Sequence, residues 1–407
     1  MTDPSVGAAD DADDISSTYG TDAARPLPFP TLVPPAAFEP WHHPVKQIVR
    51  ARQWAEQTRR LIEKARPDGD VLRYFTLPGP DLLDVRVLAE VCHPAGITIE
   101  YFGFDASGVP GSASVADASS GGTTAGSALL QAGRVTAASL VLGDRLEEVA
   151  AHRSQASEEL SKRRPFHIVN MDACDHLAYA PPGRQHTTFA ALARLLQHQT
   201  EARSPWLLFI TTRANPDLLA TEPILAFQQA IAENLQNSRN EFGAALAAAI
   251  DAELATLGMA MPQVWGANDS RFLKLFTIGL GKYLLQFFHS QPNMPADVEL
   301  ASAYAYRVHG DAPDMLALAF RITPGDRRTF PPSARGLALY GDLEPARAVH
   351  VANCAIRLQD LDTEILRDDE LRQEAFDGTA ELLRSANYNI PAWERWVREH
   401  KRGPLSR

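Results

Sequence analysis

The sequence predicts an α/β fold with a doubly wound, mostly parallel sheet, and three observations carry that expectation. The first is the stretch from Val71 to Asp105, where the apolar run Val71 to Leu77 breaks at Pro78-Gly79-Pro80, helical spacing follows to about His93, and a second apolar run, Ile97 to Phe104, ends on Asp105. Two parallel strands need such a crossover, so this is one β-α-β unit. The second is that the alternation continues: the strand-like run Phe166 to Met171 and the run Trp206 to Thr212 flank a helical segment, Thr187 to Glu201. The third is a pair of alternating runs, Glu299 to Val308 and Met315 to Ile322, joined by the turn-rich His309 to Asp314, which predicts an antiparallel β-hairpin after the parallel strands.

Taken in order, residues 1–40 read as a tail and linker. Met1 to Ala24 is rich in Asp, Ser, Ala and Gly without periodicity, and RPLPFPTLVPPAAFEP carries six prolines, which favour extended chain. From His43 the pattern turns helical, as PVKQIVRARQWAEQTRRLIEKAR, with Pro44 in the first turn and Val45, Ile48, Val49, Trp54 and Leu61 near one face. Its other face is basic, and Lys46, Arg50, Arg52 and Arg59 are candidate phosphate contacts. A solvated face on a helix covering the sheet is the alternative. Asp81 is the expected cap of the helix inside the β-α-β unit. Residues 106–133, dominated by Gly, Ser, Ala and Thr, read as a long loop at the sheet's binding edge, and Val135 to Arg163 returns to helical spacing. Leu218 to Leu257 is expected to be a long helical region, whereas periodicity leaves Ser270 to His289 open between helix and a helix-strand mixture. The sheet-bearing domain is placed at 41–330, and the charged segment 331–407 is expected to be helical.

Composition narrows the function. The 407 residues are 45% hydrophobic and 22% charged, enough to bury a sizeable core. A formal net charge of −11 argues against a surface that attracts polyanions everywhere, though a local basic stripe is compatible with it. Cys92, Cys174 and Cys354 lie far apart without ligand spacing, so neither a metal site nor a disulfide framework is indicated. No basic leader and no window of 18 consecutive apolar residues is present, so a cytoplasmic protein without membrane contact is expected. The signatures of P-loop, α/β-hydrolase and zincin chemistry are absent.

In open parallel sheets, ligands sit outside the carboxyl ends of the strands. Those ends here are the Pro78-Gly79-Pro80 turn, Asp105, Asp172 to His176, and Arg213 to Pro216. An acidic residue about 25 positions past the first turn is where a nucleoside-binding fold places the acceptor for ribose hydroxyls, which singles out Asp105. His176, four residues after Asp172, is a candidate base with a carboxylate to orient it. Asn215-Pro216 reads either as turn chemistry or as a catalytic amide.

Strands ending in a Gly/Pro turn, in FGFD, in NMDACD and in TTRANP, closed by an antiparallel hairpin, resemble the class I S-adenosylmethionine-dependent methyltransferase fold over about Val71 to Pro324. The hairpin YAYRVHGDAPDMLALAFRITPGD and the turn LPGP are also similar in style to the three-Cys-motif partner proteins, a defence-associated family found near nuclease genes. The resemblance implies a Rossmann-like doubly wound sheet with a terminal hairpin and a helical carboxyl-terminal extension. It implies S-adenosylmethionine as cofactor, with Pro78 and Gly79 beside the methionine moiety, Asp105 on the ribose, Asp172 and Ala173 on the adenine, and Asn215, Pro216 and His176 as catalytic candidates. The turn departs from the family's glycine-rich pattern, because Gly79 is flanked by two prolines that lack amide donors. The fourth motif departs as well, since Asn215-Pro216 is followed by Asp217 and Leu218 rather than by proline and an aromatic ring. Two functions follow from this: a methyltransferase acting on or near nucleic acid in bacterial defence, or a catalytically silent scaffold that partners a nuclease or another defence component. An open cleft between Gly79, Asp105 and Asp172 favours the first, and prolines filling it favour the second.

Overall fold

A computed structural model describes residues 38–106, 118–218, 221–237, 241–291, 295–309, 311–325 and 344–399. The tail at 1–37, the first part of the Gly/Ser-rich segment and the segment 326–343 therefore lie outside the described residues.

The chain enters through α1 (Pro44–Ile48), a π-helical stretch Val49–Ala55, and α2 (Glu56–Lys64), which run as one unbroken helix. The His43 ring accepts the Val45 N–H at 3.2 Å and Pro44 occupies the first turn, where its missing donor costs nothing. The first β-α-β unit is β1 (Val71–Thr76), α3 (Leu83–Cys92) and β2 (Thr98–Phe104). Next come α4 (Ala118–Gln131), β3 (Leu140–Leu142), α5 (Gln155–Ser161), β4 (Ile168–His176), α6 (Thr188–Gln199) and β5 (Trp206–Arg213). Four helices follow, α7 (Glu222–Asn237), α8 (Glu241–Ala249), α9 (Leu257–Trp265) and α10 (Ser270–His289). The hairpin is β6 (Ala296–Tyr306) and β7 (Met315–Pro324), and the chain closes with α11 (Glu344–Ile356), β8 (Gln359–Asp360), α12 (Leu361–Arg367), α13 (Asp369–Ser385) and α14 (Ile390–Glu399).

Among the described residues, eight strands join one sheet in the order β3-β2-β1-β4-β5-β7-β6-β8, and of these only β7 runs antiparallel to both its neighbours. The fold is thus α/β with a mixed, mostly parallel sheet. Its two faces are buried under separate helical layers. On one, Phe75, Met171, Leu208, Ile210 and Phe320 pack against α5 to α11; on the other, Leu72, Tyr74, Ile99, Phe209 and Ala319 pack against the amino-terminal helix, α3, α4 and α12 to α14. The two sets alternate along each strand, as the period of two requires.

Several expectations change in detail. The segment 135–163 is not one helix: it holds β3, a short 3₁₀ turn at Leu146–Ala150, and α5. The Gly/Ser-rich segment contains α4, whose small residues allow close approach to the sheet. At Gly126 a Cβ would come within 2.8 Å of the Tyr101 hydroxyl, while Ala125 and Leu129 enter the core. The long region after β5 is broken into separate helices, and Ser270 to His289 is one helix capped by Asp269, whose carboxylate accepts the Arg271 N–H at 2.9 Å. Asp81 does not cap α3. That place is held by Leu82 in the left-handed region (φ 52°), and the Asp81 carboxylate accepts the Tyr388 hydroxyl instead.

The helices of 344–399 pack into the same compact unit as the sheet. Gly378 in α13 brings that helix onto α1, where a Cβ would lie 3.2 Å from the Gln47 side-chain nitrogen. Among the described residues no single helix is long and apolar enough to cross a membrane.

Candidate functional site

From β3 the chain returns to β4 on the other side of β1, so the direction of winding reverses between β1 and β4. Loops leave a gap there at the carboxyl edge of the sheet. A cleft of about 430 Å³ opens at that place. Its walls are the Leu77 to Asp81 turn after β1, Asp105 and Ala106 after β2, Asp144 to Glu147 after β3, and Asp172, Ala173 and Asp175 at the end of β4. Trp41, Arg50 and Trp54 close the side nearest the amino-terminal helix.

The turn after β1 is open and rigid. Leu82 N–H donates to the Gly79 carbonyl at 3.1 Å, the two prolines fix the backbone around Gly79, and a Cβ at Gly79 would meet nothing within 4 Å. Pro78 rests on β2: a Cβ at Gly103 would lie 2.6 Å from the Thr76 carbonyl oxygen and 2.8 Å from the Pro78 ring. Neither backbone nor ring yields easily. Gly103→Ala is therefore expected to cost about 1–3 kcal/mol and to displace the turn, read as a fall in the urea midpoint; an unchanged midpoint would show that the turn shifts freely.

Beneath the turn lies a buried polar network. The Tyr74 and Thr76 hydroxyls both donate to the Asp84 carboxylate, Tyr74 at 2.7 Å, and the Asn170 amide donates to the Tyr74 hydroxyl at 2.9 Å. Burial pushes the Asp84 carboxyl up from its ordinary value, and the hydrogen bonds from Thr76 and Tyr74 pull against that rise. This network ties β1, β4 and the first turn of α3 together under the cleft floor.

The residues expected at the cofactor, Pro78, Gly79, Asp105, Asp172 and Ala173, all line this one cleft. Their strand assignments need one correction. β4, not the third strand, carries Asp172 and Ala173, so the position beyond Asp105 on the neighbouring strand tip belongs to Asp144, after β3. Asp144 was missed in the sequence, although Leu140-Val141-Leu142-Gly143-Asp144 repeats the pattern of FGFD, an apolar run closing on an acid. The Asp144 carboxylate also accepts the Arg145 N–H at 2.8 Å. Asp172, for its part, is held by Lys46, whose ammonium lies 2.5 Å from its carboxylate and 4.9 Å from the Trp54 ring centre.

The catalytic candidates lie elsewhere. Asn215 accepts the Asp217 N–H at 2.8 Å, a local turn, and Pro216 opens a short 3₁₀ turn; neither lines the cleft. His176 is outside the lining as well, 3.6 Å from the Asp175 carboxylate, and burial pushes its imidazole below the usual range. The proposed basic stripe also requires correction, because Lys46 and Arg50 are buried at 4% and 3% exposure and face inward. Gln53 bonds Ser302 and the Ala317 carbonyl, and Gln57 accepts from Arg321, so this helix turns a polar seam onto the sheet rather than to solvent. Arg52 and Arg59 are exposed and paired with Glu374 and Glu56.

A second cavity of about 570 Å³, lined by Lys282, Glu344 and Asn234, holds none of the strand-tip residues. A family model matches residues 35–398, nearly all of the chain. The chain belongs to the PP_RS20740-like family. No curated protein and no solved structure matches the chain.

Proposed function

We propose that this PP_RS20740-like protein binds S-adenosylmethionine and is a methyltransferase-like protein of Rossmann-like fold. The observation that carries this reading is the placement of two carboxylates, Asp105 and Asp144, on adjacent strand tips of one cleft beside the open Pro78-Gly79 turn. Adjacent acids at that edge suit a nucleoside: one accepts from ribose hydroxyls, the next from an exocyclic amine. The cleft volume falls in the range of small-molecule sites. The strand order, with one antiparallel strand between β5 and β6, agrees with the class I methyltransferase resemblance. The prolines that threatened to fill the cleft instead form part of its wall, which favours binding over a silent scaffold.

The sulfonium cofactor supplies an activated methyl group when bound. This chain's own residues would hold and orient it: Asp105 the ribose, Asp144 the adenine edge, and the Gly79 backbone the bend between nucleoside and amino acid. Isothermal titration with S-adenosylhomocysteine tests the reading directly. Wild-type protein is expected to bind, and Asp105→Ala and Asp144→Ala are each expected to weaken binding by roughly 1.5–3 kcal/mol, the scale of hydrogen bonds to a charged group. Absence of heat and of any thermal shift at millimolar ligand would end it.

A further inference from the structure

The inner wall of the cleft holds a cation whose bonding is incomplete. Arg50 sits in the π-helical stretch, 3% exposed, and one terminal nitrogen donates to the Trp41 carbonyl at 2.8 Å. Its Nε and other terminal nitrogen have no hydrogen-bond partner, and the side chain lines the same cleft as the Pro78-Gly79-Pro80 turn. A guanidinium stays charged at any physiological pH, and burying it unpaired is costly. The carboxylates near it are engaged with other groups: Asp172 pairs with Lys46, and Asp84 accepts from Tyr74 and Thr76. A π-helical stretch within a helix is itself a rare arrangement that recurs at functional sites.

We infer that Arg50 receives the α-carboxylate of the amino-acid half of the bound cofactor, through its free terminal nitrogen. This rests on the cofactor reading above. The surroundings select a carboxylate over a phosphate. Asp81, Asp84, Asp105, Asp144, Asp172 and Asp175 also line the cleft, so a dianion would meet repulsion from most sides. A zwitterionic amino acid suits such a wall, with its single carboxylate on the buried guanidinium and its ammonium among the acids. A hydrogen bond from the free terminal nitrogen to one carboxylate oxygen is charge-assisted on both sides. Trp41 orients the guanidinium through its carbonyl, a positioning contact.

The test compares two ligands on the full-length chain by isothermal titration: S-adenosylhomocysteine, which carries the α-amino acid, and 5′-methylthioadenosine, which lacks it. Wild-type protein is expected to prefer the first by tenfold or more. Arg50→Met, which keeps the volume and removes the charge, is expected to abolish that preference by weakening S-adenosylhomocysteine alone, with 5′-methylthioadenosine affinity unchanged. Its melting temperature is expected to stay level or rise, because an unpaired buried charge is gone. Arg50→Lys, a second variant that retains charge, is expected to keep part of the preference. An Arg50→Met protein that discriminates like wild type overturns the inference and leaves the cofactor reading intact, as does wild type binding both ligands equally. Wild type binding neither overturns both.

Discussion

Lys46→Met is expected to lower the stability of the protein by about 3 kcal/mol, one of its larger single-residue effects, although the substitution keeps nearly all the side-chain volume. The Lys46 ammonium is 5% exposed against 24% for the Asp172 side chain, and the pair is 2.5 Å apart. Removing the cation leaves a half-buried carboxylate without its ion-pair partner, in a wall that already carries Asp84 and Asp175. The ammonium also lies over the rings of Trp54 and Tyr306, at 4.9 and 5.7 Å, contacts that methionine replaces only in part. A simple packing role predicts that Asp172→Ala adds its own cost to that of Lys46→Met. Pairing predicts the reverse: the double variant is less destabilised than the sum by more than 1 kcal/mol, as residues in direct contact are not additive. Urea unfolding of the four proteins of the cycle decides, and additive costs would dismiss the pair as a stabilising element.

The same helix shows what the sequence could and could not reveal. Lys46, Arg50, Gln53 and Gln57 recur at helical spacing, and a run of polar side chains on one face ordinarily marks solvent. Here both faces are covered. The sheet takes the polar side through Ser302, the Ala317 carbonyl and Arg321, while α13 and α14 pack over the helix from the far end of the chain. Periodicity reports which residues share a face and says nothing of a layer contributed more than 300 positions later. Thus Gly378 against Gln47, or Trp393 donating to the His42 carbonyl at 3.0 Å, had no signal in the local pattern. The strand tips were legible for the opposite reason. Strands buried on both faces read as apolar runs, and their ends are marked by Pro, Gly or Asp, which placed Pro78, Gly79, Asp105 and Asp172 at one edge. β3 escaped because three half-buried residues at the sheet's edge do not outweigh the helical spacing on either side. With it went Asp144.

Acid is expected to destabilise the protein through histidines whose rings burial keeps neutral, and His42 is the one that bears on the cleft. Its Nδ1 accepts the Glu39 N–H at 2.9 Å, which requires the neutral ring, and its Nε2 lies 3.3 Å from the Tyr388 hydroxyl. Burial holds its pKa down at about 3, with the nearby Arg50 charge pushing the same way, and burial with the Arg73 charge holds His167 at about 4. The sign follows from linkage. A histidine whose folded pKa lies below the unfolded value of 6.5 binds fewer protons when folded, so its contribution is complete above pH 6.5 and is lost as pH falls toward the folded pKa. At pH 4 the loss is on the order of 3 kcal/mol for each ring. Asp362 opposes this, because burial pushes its carboxyl up to about 6, so the folded state gains from its protonation as pH falls from about 6 toward 4. The wild-type curve therefore mixes both signs, and the histidine contribution is isolated by a variant. His42→Asn keeps an acceptor near the Glu39 N–H and does not titrate. Its stability relative to wild type is expected to be lower at pH 7.5 and to cross over as pH falls below about 5, followed by urea midpoints across that range. The crossover distinguishes a buried neutral ring from simple packing, since a pure packing loss gives a difference that does not change with pH. A constant difference would mean that His42 titrates alike in the folded and unfolded chain. The segment it anchors presents the Trp41 carbonyl to Arg50, and because the folded ring takes up its proton only near pH 3, His42 is expected to leave ligand affinity at the cleft unchanged over that range.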